Sequence, residues 1–98
     1  MKINKKTNGH ELIITLEGRL DTTTSPELSK ELETSLDGVT KLVFDLAMLE
    51  YISSSGLRVL LSAQKIMNKQ GTMIVKNASD MVMEIFDITG FVDILTIE

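Results

Sequence analysis

Three serines in succession, Ser53, Ser54 and Ser55, stand between the apolar pair Tyr51-Ile52 and Gly56, and an amphipathic run follows at once. One hydroxyl is enough to cap a helix, by accepting from a backbone amide of its first turn. The other two are then either small fillers or groups on which chemistry is done. As nucleophiles they lack a kit. A serine hydrolase needs a G-x-S-x-G elbow or an equivalent serine beside a base, and here no glycine precedes the serines and no histidine lies near them in sequence. The single histidine, His10, sits beside a turn signal and reads as a surface residue. One histidine and no cysteine exclude most zinc and transition-metal sites. Neither G-x-x-x-x-G-K-S/T nor G-x-G-x-x-G occurs, so nucleotide binding has no motif and no cofactor is expected. An enzyme is therefore not expected; the serines read either as a cap with small fillers or as groups on which chemistry is done. A phosphate at a helix start meets free amides and the positive end of the dipole, a gain of roughly 0.3–1 kcal/mol when exposed. It would also add a charge of about −1.5 to −2 to any surface a partner covers.

Such a site needs a strand to deliver the serines and a helix to carry them. "KLVFDLA" is short and apolar at its centre, as a buried parallel strand is. After it, Met48, Leu49 and Tyr51 read as a loop that either folds inward or offers an apolar patch to a partner. The helix that follows runs to about Gln70. Leu57, Val59, Leu60, Leu61, Ala63, Ile66 and Met67 take more than half of its circumference, and Arg58, Ser62, Lys65 and Lys69 line the other side. Either Ser53 or Ser54 caps it, and Gly56 lets its first turn pack tightly on a neighbour. This position, after the carboxyl end of a buried parallel strand, is where α/β folds place their sites.

The remaining elements follow from the same periodicities. Residues 2–6 read as a strand, Asn8-Gly9 as a type I′ turn, and "ELIITLEG" as a strand with Leu12, Ile14 and Leu16 on one face. Ser25 is placed to cap a helix with Pro26 at its first position, and Leu28, Leu32 and Leu36 form its inward stripe. Asp37-Gly38 ends it. "TMIVK" is a further buried strand. "SDMVMEIFDITG" is a helix capped by Ser79 or Asp80, with Val82, Ile85 and Phe86 inward and Gly90 as its stop, and "FVDILTIE" is a short packing segment or strand. The expected fold is α/β: a small mixed sheet with helices covering one or both faces, in the order β-β-α-β-α-β-α. Strand, helix and strand from 41 to 76 form a parallel crossover.

Ninety-eight residues, 43% apolar, suit a single domain over 1–98 with one core. The net charge of −4 and the scarcity of aromatic residues disfavour nucleic acid as a partner. No apolar run approaches membrane-spanning length and no signal pattern opens the chain, so no membrane partner and a cytoplasmic location are expected.

Two stretches together resemble the STAS domain, the module of bacterial anti-sigma factor antagonists and of sulphate-transporter tails. "GRLDTTTSPEL" (18–28) resembles the family's G-x-L-D segment and Pro-bearing helix start. "LVFDLAMLEYISSSGLRVLL" (42–61) resembles its strand, Asp-Leu pair and D-S-S-G-L phosphorylation segment. The tail "EIFDITGFVDIL" has the family look, so the likeness spans essentially the whole chain. It implies a switch. A partner anti-sigma factor, itself a serine kinase, phosphorylates the serine directly before Gly-Leu, which is Ser55 here. The unmodified protein binds that partner and frees a sigma factor, phosphate breaks the complex, and a phosphatase resets it. The resemblance sets Asp21 at the rim of the same surface, although Asp21 also suits the capping of the turn that follows it. With Arg58, one turn on from Ser55, the implied partner-binding set is Asp21, Ser53, Ser54, Gly56 and Arg58. One departure stands out: Ser53 occupies the place where phosphorylated members usually carry Asp, which removes a negative charge and makes Ser54 the fallback acceptor. An alternative reading is a STAS scaffold or subunit of a signalling or lipid-transport complex that works without phosphorylation, with Ser54-Ser55 a structural helix start.

Overall fold

The structure, a computed structural model, describes residues 1–98. Strands β1 (Lys2–Asn8) and β2 (Glu11–Leu20) form a hairpin, followed by helix α1 (Ser25–Ser35), β3 (Lys41–Ile52), α2 (Ser54–Gln70), β4 (Thr72–Lys76), α3 (Asp80–Thr89) and a 3₁₀ turn at Phe91–Asp93. The sheet order is β1-β2-β3-β4; the first pair is antiparallel and the others parallel. This is the mixed α/β arrangement, and the element order, that the periodicities predict. The tail adds one parallel bridge, Ile97 to Val75.

Alternation along the strands decides where the core lies. Leu12, Ile14 and Leu16 of β2, Leu42, Phe44 and Leu46 of β3, and Met73 and Val75 of β4 all point to one face. Against them pack Leu28 and Leu32 of α1, Leu60 and Met67 of α2, and Val82 and Phe86 of α3. All three helices thus share one face, and each fully buried side chain contributes roughly 1.5–3 kcal/mol. Val43, in register with Ile13 and Ile74, belongs to the opposite face.

Three local expectations are corrected. The hairpin turns on Gly9-His10, between the paired Asn8 and Glu11, and not on Asn8-Gly9. Only Gly9 has a positive φ (63°), the pattern of a type II′ turn with glycine first. Ser25 does not cap α1: it is the first helical residue and is buried, with its hydroxyl on the Asp21 carbonyl. The Asp21 carboxylate organises the turn ahead of α1 in its place. Finally, Met48, Leu49 and Tyr51 are strand, because β3 continues to Ile52. Two irregularities hide this. Leu46 and Ala47 face Leu16 alone, and Glu50 has no partner on β2. The extra residues break the alternation, so that Leu46, Leu49 and Ile52 all turn inward. Asp45 Oδ1 steadies the first bulge, accepting from the Ala47 amide and from Asn77 Nδ2, each at 3.1 Å.

Candidate functional site

β2 and β3 end level with each other, at the paired Leu20 and Ile52. The next residues, Asp21 and Ser53, therefore leave the sheet side by side, and the Ser53 amide donates to the Leu20 carbonyl (2.8 Å). Ser53 adopts extended backbone (φ −92°, ψ 174°) and its hydroxyl accepts from the Gly56 amide at 3.2 Å. Of the two serines proposed as the cap, Ser53 is the one, and a cap of this kind is worth about 1 kcal/mol. The Leu57 amide goes to the Ser53 carbonyl.

Gly56 is buried, and a methyl group built on it would meet Leu20 Cγ at 2.8 Å and Ile52 Cγ1 at 2.9 Å. The bare backbone thus lets the first turn of α2 rest on the two strand ends. With Ser53 engaged and Gly56 pressed down, Ser54 and Ser55 are carried at the top of the turn. Ser54 is exposed and Ser55 half-buried, and neither hydroxyl is hydrogen-bonded within the chain. Their amides belong to the first turn, whose donors have no intrahelical acceptor. Arg58 is exposed three residues beyond Ser55, on the same side of the helix.

The other wall is the turn after β2. Asp21 Oδ1 accepts from the amides of Thr23 (3.0 Å) and Thr24 (3.1 Å) and from the Thr23 hydroxyl (2.7 Å). The Thr23 hydroxyl and the Thr24 amide in particular hold its carboxyl below the usual aspartate value. Thr24 Oγ1 accepts from the Asp21 amide and donates to the Arg19 carbonyl. Arg19 Nε stands 4.0 Å from Asp21 Oδ2, and the guanidinium lies over the Tyr51 ring, 4.4 Å from its centroid. The turn role foreseen for Asp21 is therefore present, and its carboxylate is held within that turn. The apolar trio ahead of the serines divides: Leu49 is buried, Tyr51 lies beneath Arg19, and Met48 stays 54% exposed.

Sequence reasoning foresaw Asp21 in this turn but not the part of Thr23 and Thr24, whose hydroxyls complete it. It also missed the Arg19–Tyr51 stack, which depends on the bulges that bring the two into register. The arrangement has two unengaged hydroxyls on a rigid helix start, a carboxylate and two guanidinium groups. No group of acidic or histidine side chains could hold a metal. The carboxylate is committed to its own turn, whereas the two hydroxyls are left free.

Comparison with known proteins agrees on one family. The STAS domain matches residues 2–98. The chain is 38% identical over 88 residues to BtrV of Bordetella bronchiseptica, named as a candidate anti-sigma factor antagonist, covering 88% of this chain and 76% of that one. It is 29% identical over 98 residues to the anti-sigma-B factor antagonist of Bacillus subtilis, covering 99% and 90%. Among solved structures, the unphosphorylated anti-sigma factor antagonist SpoIIAA superposes with a TM-score of 0.86 at 20% identity, over 99% of this chain and 88% of that one. That likeness is one of fold. This chain belongs to the STAS domain family.

Proposed function

We propose that this chain is an anti-sigma factor antagonist: a binding protein, not an enzyme, acting in the cytoplasm through one domain over residues 1–98. It occupies an anti-sigma factor that is also a serine kinase, and it lets go when that kinase places a phosphate on Ser55. A phosphatase restores it. The observation that carries this reading is the division of labour among the three serines. Ser53 is spent as the cap, while the hydroxyls of Ser54 and Ser55 are engaged by nothing in the chain. The names of the relatives point the same way.

The physical logic of release is electrostatic. In the unmodified state Ser54, Ser55, Gly56, Arg58 and Asp21 offer a partner a nearly neutral surface. A phosphate on Ser55 brings about two negative charges and three acceptors. It would take up the free amides of the first turn and draw Arg58 toward itself, since residues three apart on a helix are neighbours. The partner then loses a guanidinium contact and meets a new anion. Ser53 in place of Asp supports the alternative of a STAS subunit that binds without modification. Its hydroxyl, however, performs the capping that an Asp would perform, so the helix start is kept.

The test is intact mass after incubation with ATP and the anti-sigma factor of the same organism, for the wild type, Ser54→Ala and Ser55→Ala. Binding of Ser55→Asp to that factor is measured beside it. The proposal expects one added phosphoryl group, lost only in Ser55→Ala, and binding weakened at least about tenfold in Ser55→Asp. Phosphate retained in Ser55→Ala would move the acceptor to Ser54. No mass gain with unchanged binding of Ser55→Asp would leave the scaffold reading in its place.

A further inference from the structure

The charges on the last two helices are segregated. Helix α2 carries Arg58, Lys65 and Lys69 and no acid; α3 carries Asp80, Glu84 and Asp87 and no base. All six are exposed, and none takes part in an ion pair within the chain, whose salt bridges are Lys5–Glu31, Arg19–Asp21 and Lys41–Glu11. Each set also borders apolar surface. On α3, Met81 and Ile88 are seven residues apart and so share one stripe; they are 58% and 78% exposed. At a helical 100° per residue the three carboxylates all fall on one side of that stripe. On α2, Val59, Ala63 and Ile66 join Leu32 of α1 in a groove of about 270 Å³, whose walls also carry Ser62 on α2 and Ser29 and Glu33 on α1, and Ile66 is 43% exposed. By the same rotation the three basic residues all fall on one side of the groove.

One surface is thus an apolar ridge with an acidic flank, and the other a groove with an apolar floor, a basic flank on its α2 side and Glu33 on its α1 side. We propose that the α3 ridge of one copy of this chain lies in the α1/α2 groove of a second copy, Ile88 entering the groove and the carboxylates facing Lys65 and Lys69. The contact is heterologous, so each copy keeps one free ridge and one free groove, and further copies can add. A ten-residue helix is about 15 Å long. A contact of that length buries less than the roughly 1,200 Å² of a small stable interface, so the association is transient and grows with concentration. It rests on α3 and on the middle of α2, and it does not depend on any phosphate at Ser55.

Sedimentation velocity of the unmodified chain, from about 10 µM to about 1 mM, reads this directly. The proposal expects the weight-average sedimentation coefficient to rise with concentration at about 20 mM salt and the rise to vanish at about 500 mM, where screening is nearly complete within a contact distance. Ile88→Ser, a change at an exposed position, should weaken association at least about fivefold with the circular dichroism spectrum unchanged. Lys65→Glu/Lys69→Glu and Glu84→Lys/Asp87→Lys should each stay monomeric alone, and a mixture of the two should associate, because each supplies the charge the other now lacks. A monomer at every concentration in low salt overturns the proposal. So does association that survives Ile88→Ser and both charge reversals, or a mixture that stays monomeric while the wild type associates.

Discussion

Replacing Gly56 by alanine tests whether the serines are positioned by contact between α2 and the strand ends. The added methyl would lie 2.8 Å from Leu20 Cγ and 2.9 Å from Ile52 Cγ1 and Leu20 Cδ2. Leu20 and Ile52 are 0% and 1% exposed, and Leu20 Cγ and Ile52 Cγ1 lie close to the backbone rather than at the ends of flexible side chains, so neither can swing aside without moving the core. Overpacking of this kind costs about 1–3 kcal/mol. Alanine in a helix returns about 0.5–1 kcal/mol through its propensity. The net expectation is a loss of about 1 kcal/mol, seen as a fall of about 4–8 °C in melting temperature for a chain of this length. Urea denaturation followed by circular dichroism measures it. A double-mutant cycle with Leu20→Ala isolates the cause. Leu20→Ala alone costs about 2–5 kcal/mol, but in its background the alanine at 56 should cost little, a coupling of about 1 kcal/mol or more. If Gly56→Ala is as stable as the wild type, or costs the same with and without Leu20, then steric contact with the strand ends is not what places α2.

Other outcomes follow from the same geometry. Ser53→Ala should lose about 1 kcal/mol in denaturant, and Ser53→Asp should recover it with a further 0.3–1 kcal/mol or so from the helix dipole. Because the folded pKa of Asp21 is depressed, its contribution is fully present above the ordinary aspartate value of 3.8 and disappears as pH falls through the lower folded value. The melting temperatures of the wild type and Asp21→Ala, measured from neutral pH into acid, should therefore converge only below that ordinary value. Gln64 is 7% exposed and its Oε1 has no donor, while its Nε2 reaches Asn68 at 2.8 Å. Gln64→Leu should consequently be neutral or gain up to about 1 kcal/mol, and a loss above that size would show that the amide is needed.

What could be foreseen divides along physical lines. Leu12-Ile14-Leu16 and Leu28-Leu32-Leu36 carry clean periods of two and four, and the elements they predict are present with their faces inward. Of the two caps expected for α3, Ser79 or Asp80, it is Ser79 that accepts from the Val82 amide at 3.2 Å, and Gly90 stops the helix at φ 79° as expected, because caps are local chemistry. The tight packing foreseen for Gly56 is there too. Residues 48–52 defeated the pattern since two surplus residues reset the alternation, and a strand whose inward positions are three apart resembles no strand template. The cap of α1 failed for another reason. Ser25 followed by Pro26 is the usual signal, but the helix starts one residue earlier: the Glu27 and Leu28 amides go to the Thr24 carbonyl, and Ser25 is the first helical residue and buried. The burial of Gln64 had no signal, as its neighbours Lys65 and Asn68 are exposed and its own polarity argued for solvent.

The Ser53 cap and the bare backbone of Gly56 have a consequence for any enzyme that modifies the site. The hydroxyls of Ser54 and Ser55 are built into the first turn of a helix that rests on two strand ends, so drawing them out as an extended strip through a cleft would require unfolding that turn. An enzyme acting here must read a folded shape assembled from segments more than thirty residues apart, Asp21 on one and Ser55 on the other. A short peptide copied from residues 48–60 contains the serines but has neither the turn nor the neighbouring wall, and it would be a poor substrate. Under the proposed function, folding itself would thereby act as the proofreading step: a chain that has not closed its core would not present the proposed acceptor.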